Sequence, residues 1–229
     1  MLSRSQLVLI SFFRCDFVKS KSLSPHCLTA LPMSLSYTVG EACAPVALKA
    51  GQSLMLPSPP KESASCLEVI EGFARLYWTG EGPGDITLAF LQAGDHVPAR
   101  HLCGGGICIE ALTPLSLSLE GFIDRDLEMD VVSDWTFQLL RIHHLGSAEN
   151  RLNGLFILLV NRLGRRCGDW CSLPFSLSHD RIGELIGTTR VTSTRLISKL
   201  RHGQMLNASF RGGQSQFSAS LIECESMAS

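Results

Sequence analysis

The 229-residue chain predicts an α+β fold, two bodies joined by a long helix. Three observations carry that expectation. Short apolar runs broken by Gly and Pro fill residues 47–122, the pattern of an antiparallel sandwich or barrel. An amphipathic stretch with a single apolar stripe follows, reaching about residue 145. A short helix, a Gly turn, a longer helix and a Gly-centred hairpin then close the chain, which reads as a winged helix-turn-helix.

The strand body is expected from Leu67–Ile70, Ala74–Trp78, Ile86–Leu91, Ile107–Leu112 and Leu115–Leu119. Alternation through Leu115, Ser116, Leu117, Ser118 and Leu119 marks a half-buried strand. The helix that follows has Asp124, Asp126 and Glu128 near its start and His143 and His144 near its end, a polarity that suits the helix dipole. Val131, Val132, Trp135, Leu139 and Ile142 form its stripe. They are expected to pack on the chain's own strands, to serve as a dimer seam, or to do both. Gly146-Ser147 reads as a hinge, and 151–166 as a buried helix apolar nearly all round. The expected division is an extension over 1–33, a strand domain over 34–123, the connecting helix over 124–146, the winged helix-turn-helix over 147–222 and a tail over 223–229. The extension is expected to be disordered or not native, because Met33 offers a start just before domain-like sequence.

A hydrophobic fraction of 45% excludes a wholly disordered chain. Formal net charge is −1, but the charge is segregated. Residues 34–150 carry 6 basic and 15 acidic side chains, whereas 151–212 carry 10 basic and 3 acidic. The basic body is suited to a polyanionic partner. Nine cysteines, an odd number with no C-x-x-C pair, give no zinc-ribbon or thioredoxin spacing and fit a reducing cytoplasm. Cys103 and Cys108, with His101 nearby, are the closest approach to a metal or redox group, but small buried thiols are the simpler reading. No metal site is expected. No run of 18 apolar residues is present, so no membrane helix is expected. A cupin-type metal enzyme using His96 and His101 is the remote alternative, and the His-x-His spacing it needs is missing.

The chemistry concentrates in residues 177–202. Ser178 is placed to cap a helix carrying Ile182, Leu185 and Ile186, and Gly187 to end it. Thr188 or Thr189 then caps a second helix whose inward stripe is Leu196, Ile197 and Leu200, and Gly203 ends it. Such a helix presents its first turns to base edges in the major groove. Arg190 and Arg195 are the expected base readers, since a guanidinium forks onto guanine O6 and N7, and Val191 suits a thymine methyl. Ser178, His179, Thr189, Thr192, Lys199 and Arg211 are placed for backbone phosphates.

The run Leu-Ser-His-Asp-Arg-Ile-Gly-Glu-Leu-Ile-Gly-Thr-Thr-Arg-Val-Thr at 177–192, with Arg195 and Leu196, resembles the Crp–Fnr superfamily of bacterial transcription regulators. The Arg190-Val191 pair is similar to the cyanobacterial nitrogen-control branch. A weaker likeness covers Glu71 to Tyr77 and Ile86 to Asp95. The resemblance implies an effector β-roll of the cyclic-nucleotide-binding type, a dimerisation helix and a winged helix-turn-helix. It further implies a homodimer on a palindromic site in double-stranded DNA, with RNA polymerase as a partner. After Gly94-Asp95 the chain departs from the family pattern and lacks an arginine cassette for a cyclic-nucleotide phosphate. Cyclic AMP is therefore not the expected effector, which is left as a small molecule or a protein, and no cofactor is expected. Ser193 stands where many members have Val. A buried, unpaired hydroxyl there would cost about 1–3 kcal/mol and would favour a second reading, a metabolite- or partner-binding module with weakened DNA binding.

Overall fold

The computed structural model describes residues 7–8, 45–56, 66–80, 84–102, 105–120, 130–209 and 214–223. In chain order its elements begin with β1 (Leu7–Val8), β2 (Val46–Leu48), β3 (Ser53–Met55), β4 (Cys66–Glu71), β5 (Phe73–Trp78), β6 (Ile86–Gln92) and β7 (His96–Pro98). A 3-10 turn (Ala99–His101), β8 (Ile107–Ala111) and β9 (Leu115–Glu120) complete the strand body. Then come α1 (Val131–His143), α2 (Ala148–Leu163), β10 (Arg165–Cys167), β11 (Trp170–Leu173), α3 (His179–Leu185), α4 (Arg190–His202), β12 (Leu206–Ser209), β13 (Gln214–Ser218) and α5 (Ala219–Glu223).

Two sheets of order β1-β3-β8-β5-β6 and β2-β9-β4-β7 form the β-roll, and a third, β10-β11-β13-β12, belongs to the C-terminal body. Apart from β1, which runs parallel to β3, the pairings are antiparallel. The five apolar runs became β4, β5, β6, β8 and β9. The three-residue strands β2, β3 and β7 are too short for a periodic signal. Leu7-Val8 pairs with Ser53-Leu54, so this part of the 1–33 extension is seated on the first sheet. The rest of the extension lies outside the described residues, as do Asp124, Asp126, Glu128, Cys103 and the tail beyond Glu223. Leu67, Val69, Leu76, Ala89, Phe90, Leu91, Val97 and Ile109 are essentially sealed from solvent and fill the roll. Gly72 makes the β4–β5 turn at φ +93, where a Cβ would fall 2.1 Å from the Pro114 carbonyl oxygen, so only glycine fits.

Asp130 caps α1, accepting from the backbone N–H of Val132 and Ser133. Burial pulls its carboxyl upward, but the Ser133 hydroxyl, the Ser133 N–H and His101 outweigh that and hold it at about 2. The cap is thus fully in place above the ordinary carboxylate range, near pH 4, and is lost as pH falls through about 2. The expected stripe is buried at Val132, Trp135, Leu139 and Ile142, while Val131 is half-buried. Its partner lies in the same chain: Trp135 meets the Phe90 ring edge-on at 5.5 Å, and the Arg162 guanidinium of α2 lies 4.6 Å over the Trp135 ring. These residues therefore pack within the chain, the first of the two roles expected of the stripe. The face left outward carries Phe137, 58% exposed, and Leu140, 54% exposed.

The helix expected over 151–166 runs from Ala148 to Leu163, capped by Ser147. Gly164 stops it, and Arg165 and Arg166 turn into a short hairpin strand.

Candidate nucleic-acid interface

Local capping builds the helix-turn-helix. The Ser178 hydroxyl accepts from the Arg181 N–H at 3.2 Å and starts α3. Ile186 closes that helix, and Gly187 follows in the left-handed region at φ +61. The Thr188 N–H then returns to the Gly183 carbonyl at 2.8 Å, which tightens the turn. Thr189, of the two candidates, caps α4 by accepting from the Thr192 N–H. Gly203 does end α4, but the left-handed residue is the next one, Gln204, at φ +56.

The inward stripe of α4 differs in one member from expectation. Ile197 and Leu200 are buried and Leu196 is half-buried, while Ser193 is completely buried. The Ser193 hydroxyl donates to the Thr189 carbonyl at 3.0 Å, one helical turn back. It is paired, so the cost expected of an orphaned hydroxyl does not arise. The small side chain also lets the two helices approach closely. A Cβ on Gly183 would sit 2.9 Å from the Thr188 carbonyl oxygen and 3.0 Å from Ser193 Oγ. Gly183→Ala is accordingly expected to destabilise the C-terminal body by about 1–3 kcal/mol through overpacking, read as a lower denaturant midpoint.

The outward face of α4 gathers the expected base readers. Arg190, Val191 and Arg195 are all exposed, Val191 at 78%. Arg190 Nη1 lies 3.4 Å from Asp180 Oδ2, an open pair from the first turn of α3 that sequence spacing did not suggest. Thr189 and Thr192 share a hydroxyl contact at 3.1 Å. His179 shares a hydrogen bond between Nδ1 and the Thr194 hydroxyl, 2.9 Å long. Burial, followed by Arg201 and Arg190, lowers its pKa, so the ring is neutral at physiological pH. Lys199 is turned onto both carboxylate oxygens of Glu149 in α2, at 2.7 and 2.9 Å. That pair is exposed and exchanges at little cost. Arg211 lies outside the described residues. His96 approaches Glu68 at 3.8 Å and His101 contacts Asp130, so the two histidines face different carboxylates. Among the described residues no group of three His, Cys, Asp or Glu side chains is placed to hold a metal ion. Nor is any described helix long and apolar enough to cross a membrane.

A strand-roll, a capped connecting helix and a helix-turn-helix with paired wing strands thus lie in one chain. The Cyanobacterial CRP family N-terminal domain matches residues 46–132. That match covers the strand-roll and the start of the connecting helix. The chain is similar to cyanobacterial nitrogen regulators: it is 34% identical over 91 residues to the global nitrogen regulator of Nostoc sp., covering 40% of this chain and 38% of that protein. To the global nitrogen regulator of Synechococcus elongatus it is 25% identical over 182 residues, covering 68% of this chain and 78% of that one. A Crp/Fnr-family transcriptional regulator of Thermus thermophilus shares the fold at TM-score 0.57 and 19% identity, over 78% of this chain and 98% of that chain. A CooA mutant from Carboxydothermus hydrogenoformans does so at 0.58 and 20%, over 81% and 87%. Outside the matched region, the helix-turn-helix of this chain carries Arg190 and Arg195 with Val191 between them.

Proposed function

We propose that the chain is a sequence-specific transcription regulator that binds double-stranded DNA as a homodimer on a palindromic promoter site. The observation that carries this reading is the outward triad Arg190, Val191 and Arg195 on the first turns of a helix whose other side is packed. A valine 78% exposed at that place has no packing role in the free chain, and a thymine methyl is a fitting contact for it. Ser178, His179, Thr189, Thr192, Lys199 and Arg211 supply the phosphate contacts. The basic C-terminal body attracts the duplex, and the acidic roll stands back from it. The roll acts as the sensor for a small-molecule or protein effector other than cyclic AMP, and RNA polymerase is a further partner, all in the cytoplasm.

The deciding experiment is selection of bound duplexes from random DNA. It should return a two-fold motif whose binding weakens steeply with salt. A pool with no motif would overturn the reading. Dimerisation falls to the outward face of α1. Phe137→Glu combined with Leu140→Glu is expected to give a folded monomer by sedimentation, because both side chains are already in solvent within one chain. An unchanged dimer would move the interface off this helix.

A further inference from the structure

The C-terminal body is fastened to the roll by charge as well as by apolar contact. Arg75, in the middle of β5, is fully buried. Its Nε donates to the Thr87 hydroxyl at 2.7 Å and its Nη1 to Glu110 at 2.9 Å. Its Nη2 makes no hydrogen bond but lies 3.9 Å from Asp85 and 3.9 Å from Glu184, one carboxylate from each body. Arg181 of α3 reaches the other way. It meets Asp85 at 3.4 Å and Glu110 at 3.3 Å, both on the roll, and Glu184 on its own helix at 2.6 Å. Tyr77 lies beneath both guanidinium groups, at 4.3 Å from Arg75 and 6.0 Å from Arg181.

An aromatic contact also joins the bodies, and Arg151 ties the C-terminal body to the end of the connecting segment. Phe175 stacks on Phe90 at 6.2 Å and tilts against Phe73 at 5.8 Å. Arg151 donates to the Ile186 carbonyl in the turn after α3 and to the Leu145 carbonyl before the hinge. The apolar contact is non-directional, whereas forked guanidinium–carboxylate pairs set an angle. Three separated anchors fix a body's orientation. Since Gly183 and Ser193 lock α3 to α4, fixing α3 fixes the helix that carries Arg190 and Arg195. Those two remain exposed, so docking orients the reading face without covering it.

We propose that the Arg75–Arg181–Asp85–Glu110–Glu184 cluster sets the half-site spacing that the dimer accepts, with Arg181 as the positioning residue. This rests on the dimeric DNA-reading function proposed above. A reader held at one angle tolerates one spacing. A reader swinging on the Gly146-Ser147 hinge tolerates several, at a lower effective concentration for the second half-site.

The test uses the full chain, a single half-site duplex, the selected palindrome, and the same palindrome lengthened by two base pairs, which displaces the second half-site by roughly 7 Å and 70°. The wild-type chain is expected to prefer the native spacing by at least about 30-fold, and Arg181→Gln to reduce that preference to about threefold with half-site binding unchanged. Asp85→Asn, which sits on the roll and leaves the winged-helix body intact, is expected to give the same relaxation and decides the matter if Arg181→Gln loses half-site binding. Wild-type spacing preference retained in both variants overturns the proposal. A wild-type chain that binds half-sites singly, or no duplex at all, overturns the dimeric reading instead, and the two failures are told apart by the wild-type result alone.

Discussion

Trp135→Ala is expected to remove about 3–5 kcal/mol of stability, the usual loss for a large aromatic truncated in a packed core. Trp135 is 2% exposed and joins three elements at once. It meets Phe90 of β6 edge-on, carries Arg162 of α2 on its face, and rides on α1. Arg162 also pairs with Asp134 of α1. Truncation therefore leaves a cavity at the junction of roll and helices and strips a half-buried cation of its ring partner. Leu140→Ala, one face away on the same helix, is expected to change chain stability by no more than about 0.5 kcal/mol, because Leu140 is already 54% exposed. Urea denaturation at one fixed protein concentration checks both. Equal midpoint shifts for the two variants would contradict the assignment of faces on α1.

That contrast shows what the sequence could and could not supply. The periodic stripe of α1 was legible, since Val132, Trp135, Leu139 and Ile142 recur at helical spacing. Which body covers the stripe was not, because periodicity reports a buried face and carries no information about the partner. The single apolar residues Phe137 and Leu140 fall outside the stripe and give no periodic signal. The capped turn between α3 and α4 was read nearly residue by residue, because capping and Gly turns are local chemistry. Ser193 misled for the complementary reason. A hydroxyl in an apolar position looks like a packing fault until its bond to the carbonyl one turn back is seen.

The interdomain cluster was beyond reach of spacing arguments. Arg181 and Asp85 are separated by 96 residues, and Arg181 and Glu110 by 71. One signal was present: Arg75 interrupts the otherwise apolar run Ala74–Trp78, and a guanidinium in a buried strand must find carboxylates somewhere. The short strands and the pairing of Leu7-Val8 with β3 likewise follow from tertiary pairing, which no local pattern encodes.

Arg190→Ala is expected to lose about 1–3 kcal/mol of binding per half-site, roughly 5- to 150-fold, and to lose it at a single base position. The side chain is 70% exposed and its contact with Asp180 is an open surface pair, worth about 0–1 kcal/mol. The variant should therefore fold as the parent does, and the deficit belongs to recognition. The two arginines occupy the start and second turn of α4, so their losses should map to different positions of the half-site. Lys199→Ala serves as the comparison, because the contact proposed for it is to phosphate, which reports on no base. It should weaken binding uniformly across sequences and lower the salt slope by about one. Binding titrations against duplexes carrying each of the four bases at every half-site position separate the two patterns. A uniform loss for Arg190→Ala would turn that guanidinium from a base reader into a phosphate contact and would place the reading face elsewhere on the helix.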